Sequence, residues 1–297
     1  MVDSREDAAE ERFGDAEEDA MACLGAFPTK VKVVEDAAEE TLLLWAFRNP
    51  VSIKQHVYVS QGSLELQLDA CGQVLHIMQA PSSVNMLGVT GGVMWDSGVV
   101  LAKLLEHAVD TQGLQLRGKK CVEIGAGCGL TGCVTALLGA TVIMTDMSDR
   151  LRLLQKNVDE NSYSLSKSHG SACVRGLLWG DQPDQEIVDP LPDFVLASDV
   201  IYNENVVPQL LHTLRSLTGS DTTVLLSGEL RNDAVLECFF RLALEDFTIG
   251  RVLEADLHPD YCNPRVAVYV LVRKTETRFA CLVAHELSPC HSREHLD

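Results

Sequence analysis

Glu123, Gly125, Gly127 and Gly129 stand at alternate positions in KKCVEIGAGCGLTGCVTALLGATVIMTD, residues 119–146, a stretch that ends on Asp146. Glycines at that spacing let the backbone approach a ligand without Cβ obstruction. A helix starting directly behind them offers backbone N–H groups and a positive dipole end to an anionic group. A carboxylate on the next strand can accept both hydroxyl protons of a ribose. Together these residues suit a ligand that contains a nucleoside. The dinucleotide fingerprint is G-x-G-x-x-G, whereas position 130 here is Leu and the third glycine is Gly129. That spacing argues against an NAD-dependent oxidoreductase, the competing enzyme class.

The flanking residues define the elements that must hold this constellation. Cys121–Ile124 reads as a strand, the residues up to Leu138 as a small-residue helix closed by Gly139, and Thr141–Thr145 as a second strand. This is a βαβ unit. A helix follows, with Ser148 as a candidate cap, to about Asn161, then a polar loop. Further strands are expected at Ala172–Leu178, Phe194–Ala197, Thr222–Ser227, Phe247–Leu253 and Val266–Val272, with helices at Asn205–Leu217 and Ala234–Leu244. The last two strands are joined without a helix, which predicts antiparallel neighbours. In such a sheet ligands collect beyond the carboxyl ends of the strands. The residues that end strands one to five are Glu123 with the glycine loop, Asp146, Trp179, Asp199 and Glu229. Trp179 is suited to stack on an adenine ring.

Ahead of this unit, Ser52–Met78 alternates apolar and polar residues in HVYVS, LELQLD and VLHIMQ, a pattern that predicts a small antiparallel meander. Pro81–Gly92 reads as a loop. A helix over Gly98–His107, capped by Ser97 or Asp96, follows Trp95.

Glu123–Gly129 has the form E-x-G-x-G-x-G and resembles the first motif of Rossmann-like, class I methyltransferases that use S-adenosylmethionine. With Trp95, the Trp179-Gly180 pair and D-x-x-Y from Asp199 to Tyr202, the chain is similar to the protein lysine methyltransferases of methyltransferase family 16 over about residues 40–272. The resemblance implies an α/β fold: a seven-stranded sheet with the last strand antiparallel, preceded by the meander. It implies that Glu123, Gly125, Ala126 and Gly127 border the methionine part of the cofactor and that Asp146 binds the ribose. Met147 and Trp179 lie on the cofactor side, Ser198 beside the adenosine and Trp95 against the cofactor. Asp199 and Tyr202 then carry the substrate side. The family commonly has Ala where Ser198 stands. Its members act on different proteins, chaperones and elongation factors among them, and some relatives modify residues other than lysine.

Lysine methylation poses a proton problem. A free lysine has a pKa of about 10.4, so deprotonating it at neutral pH costs on the order of 4 to 5 kcal/mol. Asp199 would orient the ammonium, yet a carboxylate also stabilises the charged form.

Net charge is −19 over 297 residues, a surface that repels phosphate backbones and disfavours nucleic acid. A protein substrate fits better. The sequence lacks a run of apolar residues long enough to span a bilayer, and its acidic first residues exclude a secretory signal, so a cytoplasmic, or also nuclear, monomer is expected. The ten cysteines contain no C-x-x-C pair and read as reduced core residues. Residues 1–28 read as an acidic disordered tail, 29–96 as the meander and loop, 97–274 as the catalytic domain and 275–297 as a loose tail. His285, Cys290, His291 and His295 lack paired ligand spacing, and no metal is expected. A non-catalytic module on the same fold is disfavoured by the intact loop, Asp146 and D-x-x-Y.

Overall fold

A computed structural model describes residues 20–48, 57–81 and 91–275. Residues 1–19 and 276–297, most of the Pro81–Gly92 loop and the four terminal His and Cys positions lie outside the described residues.

The strands are β1 (Met21–Cys23), β2 (Lys30–Val34), β3 (Glu65–Ala70), β4 (Gln73–Met78), β5 (Lys120–Ile124), β6 (Thr141–Asp146), β7 (Ser171–Gly176), β8 (Phe194–Ser198), β9 (Thr223–Glu229), β10 (Phe247–Arg251) and β11 (Val266–Arg273). The helices are α1 (Ala37–Arg48), α2 (Asp96–His107), α3 (Leu130–Leu137), α4 (Leu151–Lys167), α5 (Gln185–Val188), α6 (Val207–Leu217) and α7 (Asp233–Asp246). The main sheet runs β1-β2-β10-β11-β9-β8-β5-β6-β7. Its centre, from β7 to β9, is parallel, and β11 lies antiparallel between β9 and β10. The order reverses at β5 and β8, the switch point where doubly wound sheets bind ligands.

Alternation along the buried strands sorts their side chains onto two faces. Cys121, Val142, Met144, Phe194 and Leu196 pack with α2, α3 and α4. Val122, Ile143, Val195, Ala197 and Leu226 face α1, α6 and α7. The expected seven-stranded α/β sheet with its antiparallel last strand is present.

Several details depart from the sequence reading. The sheet gains β1 and β2, which fall partly within the expected tail, because Val31 packs where a Cβ on Gly250 would stand only 2.1 Å from it. The meander is a two-stranded hairpin, β3-β4. The described part of HVYVS forms no strand, since its Val57 and Tyr58 N–H groups donate to the Asp96 carboxylate at 2.6 and 3.2 Å. Asp96 is therefore inside α2, with Trp95 at its N-cap and no side-chain cap. Ser148 likewise does not cap α4, which starts beyond Arg150 and continues to Lys167 through the expected loop. The eight cysteines among the described residues are free; Cys121, Cys128 and Cys133 are buried, whereas Cys23 is exposed.

Candidate active site

The turn from β5 into α3 uses its three glycines differently. Gly125 has φ +62°, and a Cβ there would stand 3.0 Å from Trp179 Cζ2 and 3.2 Å from Val200 Cγ1. Gly127, at φ +55°, donates its N–H to Asp146 Oδ2 at 2.7 Å. Both line a cleft of about 310 Å³ at the carboxyl edge of the sheet. Gly129 does not line it: at φ +85° its missing Cβ leaves room for Leu154 and Met144 beneath the start of α3.

Of the residues singled out from sequence, the cleft brings together Trp95, Gly125, Ala126, Gly127, Asp146, Met147, Trp179, Ser198, Asp199 and Tyr202. Glu123 is not among them. Its side chain turns under the loop, where Oε2 accepts the Gly132 N–H at 3.0 Å, one of the amides at the start of α3 that has no partner within the helix. The carboxyl is buried, and burial pushes its pKa up to about 8.

Asp146 sits at the end of β6, with Oδ1 accepting from Met147 N at 2.7 Å and Oδ2 from Gly127 N. A carboxylate has roughly four acceptor positions, so two backbone donors leave capacity for a diol. Burial raises its pKa while those two hydrogen bonds lower it. Across the cleft the Trp179 and Tyr202 rings are tilted, with centroids 6.2 Å apart. Tyr202 remains 42% exposed, which makes it a rim residue, and burial of its inner part raises the phenol pKa. A glycine floor, an indole wall and a carboxylate at one end suit a purine nucleoside in shape and polarity.

Asp199 follows β8 with φ +60°, a left-handed conformation uncommon outside glycine. Its N–H donates to Ser227 O at 2.8 Å, which fixes that turn against β9. Its Oδ2 accepts from Arg231 Nη1 at 2.8 Å, and Oδ1 lies 3.5 Å from Glu229 N. Burial raises the Asp199 pKa, and the Arg231 charge opposes that rise. Arg231 also donates through Nε and Nη2 to Glu229 Oε2 at 3.0 and 2.6 Å, and its Cζ lies 4.0 Å from the Trp95 ring centroid. Arg265 Nε holds the other Glu229 oxygen at 3.0 Å.

Sequence reasoning did not single out Arg231, Arg150 or Val200. The signal for Arg231 is its place two residues past Glu229, where a strand ends at the ligand edge. Arg150 and Val200 carry no such mark.

The arrangement offers a nucleoside-sized crevice and, at its far side, a buried carboxylate and a phenol facing an opening. A family model described as lysine methyltransferase matches residues 77–245. Protein N-lysine methyltransferase METTL21A of Danio rerio is 38% identical over 161 residues, 52% of this chain and 68% of that protein. EEF1A lysine methyltransferase 3 of Mus musculus is 38% identical over 174 residues, 59% of this chain and 69% of that protein. Magnesium protoporphyrin IX methyltransferase from Synechocystis PCC 6803, solved with bound SAH, aligns with a TM-score of 0.43 at 15% identity over 60% of this chain and 84% of that one.

Proposed function

Because the chain belongs to the lysine methyltransferase family, we propose that its cleft holds S-adenosylmethionine between the Gly125–Gly127 loop, Asp146 and Trp179. A lysine of a protein substrate then enters past Tyr202 to Asp199. The reaction is S-adenosylmethionine-dependent methylation of a protein lysine side chain. A translation factor of the kind named by the EEF1A lysine methyltransferase 3 relatives is the first substrate to test; a chaperone, the other substrate class that the resemblance implies, comes next. The observation that carries the assignment of residues is convergence: the ends of β5, β6, β7 and β8 meet at one cleft, and Asp199 lines it with the glycine loop.

When bound, the cofactor supplies a methyl group already activated on a sulfonium centre. What remains for the protein is alignment of a nitrogen lone pair, and positioning of this kind provides much of the acceleration. Asp199 accepts a hydrogen bond from the incoming amine and orients it. Tyr202 borders the approach and, with Trp179, narrows it around an unbranched side chain. Ser198 and Val200, on either side of Asp199, line the cleft with it, while the Ser227 carbonyl holds the Asp199 backbone.

Two variants separate the roles. Asp199→Asn should lower turnover at least about a hundredfold, on the scale of a lost positioning contact, while S-adenosylhomocysteine affinity by calorimetry stays close to wild type. Asp146→Ala should instead lose cofactor affinity. Labelled cofactor incubated with purified EEF1A and with cell lysate, followed by mass spectrometry, identifies the modified residue. Near-normal turnover by Asp199→Asn would remove Asp199 from the substrate side.

A further inference from the structure

Arg231 is held on three sides. Its guanidinium meets Asp199 Oδ2 at 2.8 Å, Glu229 Oε2 at 2.6 Å and, face-on, the Trp95 ring at 4.0 Å. Glu229 is in turn fixed by the buried Arg265 at 3.0 Å. Two carboxylates and two guanidiniums thus form one cluster of zero formal charge. The Asp199 side chain is only 10% exposed and that of Arg231 29%. Arg231 does not itself line the cleft; it reaches the acceptor end through Asp199 and through Trp95.

We propose that Arg231 is a positioning residue for the methyl acceptor: by taking one Asp199 oxygen and cancelling its charge, it makes the site receive lysine as a neutral amine rather than as an ammonium. The inference rests on the assignment of Asp199 to the substrate side. A lone carboxylate would hold the ammonium and so oppose the deprotonation that methyl transfer requires. Paired with Arg231, the same carboxylate keeps Oδ1, whose nearest donor is the distant Glu229 N–H at 3.5 Å, as a directional acceptor for an amine N–H. The displaced proton goes to water at the open, Tyr202 side. The groups facing Asp199 are Glu229 at the end of β9 and Arg231 two residues beyond it, with Arg265 behind Glu229, and Tyr202 from its own loop, on which Asp146 and Arg150 also act.

The test needs no protein substrate. Two analogues of S-adenosylmethionine are used, one carrying an aminopropyl chain and the other a butyl chain in place of the transferable methyl. Calorimetry at about pH 8, below the free amine pKa of about 10.4, in buffers of different ionisation enthalpy counts the protons released on binding. The wild-type protein should release a proton on binding the amine analogue. Arg231→Gln should bind that analogue as its ammonium, with proton release lost and affinity relative to the butyl analogue raised about tenfold, the equivalent of one pKa unit. Arg231→Lys, which keeps the charge, should retain proton release. Equal affinity changes for both analogues in Arg231→Gln, or unchanged proton release, would overturn the proposal and leave Arg231 a structural residue. Asp199→Asn is the separate control. Loss of discrimination between the analogues supports the Asp199 assignment; discrimination equal to wild type defeats that assignment whatever Arg231 does.

Discussion

Glu123, next to last in β5, and Asp146, last in the neighbouring β6, carry the same side-chain chemistry, yet Asp146 faces the cleft while Glu123 caps α3 from beneath. Its neighbour Gly132 has no room for more: a Cβ there would stand 2.5 Å from Glu123 Oε2. Burial raises the Glu123 pKa from 4.5 to about 8, so between those values the folded protein holds a proton that the unfolded chain has released. The contribution to stability is full below the unfolded value and is lost as pH rises through the folded one, a loss on the order of 5 kcal/mol. Glu123→Gln keeps the acceptor for Gly132 and removes the titration. Its urea-unfolding stability should therefore fall less than that of wild type between about pH 5 and pH 8. Parallel pH profiles for the two proteins would contradict this account.

At the scale of elements, α4 is what ties the β3-β4 hairpin to the ligand loop. Asn157 and Asn161 lie one helical turn apart and present their amides to the backbone of β4 as a neighbouring strand would. Asn157 Oδ1 accepts from Met78 N at 2.8 Å, and its Nδ2 donates to Met78 O at 3.0 Å and to Cys128 O at 2.8 Å. Asn161 does the same at His76, with 3.0 and 2.8 Å. Asn157 is fully buried, so removing its amide orphans three backbone groups at roughly 1 to 3 kcal/mol each. Asn157→Ala should cost about 3 kcal/mol in chemical denaturation. It should also weaken S-adenosylhomocysteine binding, because Cys128 belongs to the glycine loop. A stable variant with unchanged affinity would show that the hairpin and the loop are independent.

Over the whole molecule, the residues ahead of the catalytic unit close one edge of the sheet. Lys30–Val34 pairs with β10 at Ile249, Gly250 and Arg251, and Ala26 N donates to Thr223 Oγ1 at 2.8 Å near the far end of β9. Leu24, Phe27, Val31 and Val34 are buried there, each contributing roughly 1.5 to 3 kcal/mol. A chain shortened to begin at Glu35 should unfold at lower temperature. It should also self-associate, since β10 would present an open, largely apolar edge. Scanning calorimetry and light scattering test both, and a monomeric truncation with wild-type melting would assign the N-terminal strands no structural role. No helix among the described residues is long and apolar enough to cross a membrane.

The sheet and the ligand loop were legible because their determinants are local. Apolar runs such as Phe194–Ala197 and the alternate glycines of 125–129 specify strand and turn with only near neighbours. The D-x-x-Y residues, too, follow directly from a strand end. What tertiary structure alone decided are contacts made across long stretches of chain. Asp96 takes the Val57 and Tyr58 amides and so denies HVYVS a strand, and Gly250 makes room for Val31 and so enlarges the sheet. Arg231 reaches Asp199 from the end of another strand and rests on Trp95 from a helix. Periodicity reports which face of an element is apolar; it carries no record of which distant polar group satisfies which backbone amide or carboxylate, and the charge balance at the acceptor end of the cleft depends on those pairings.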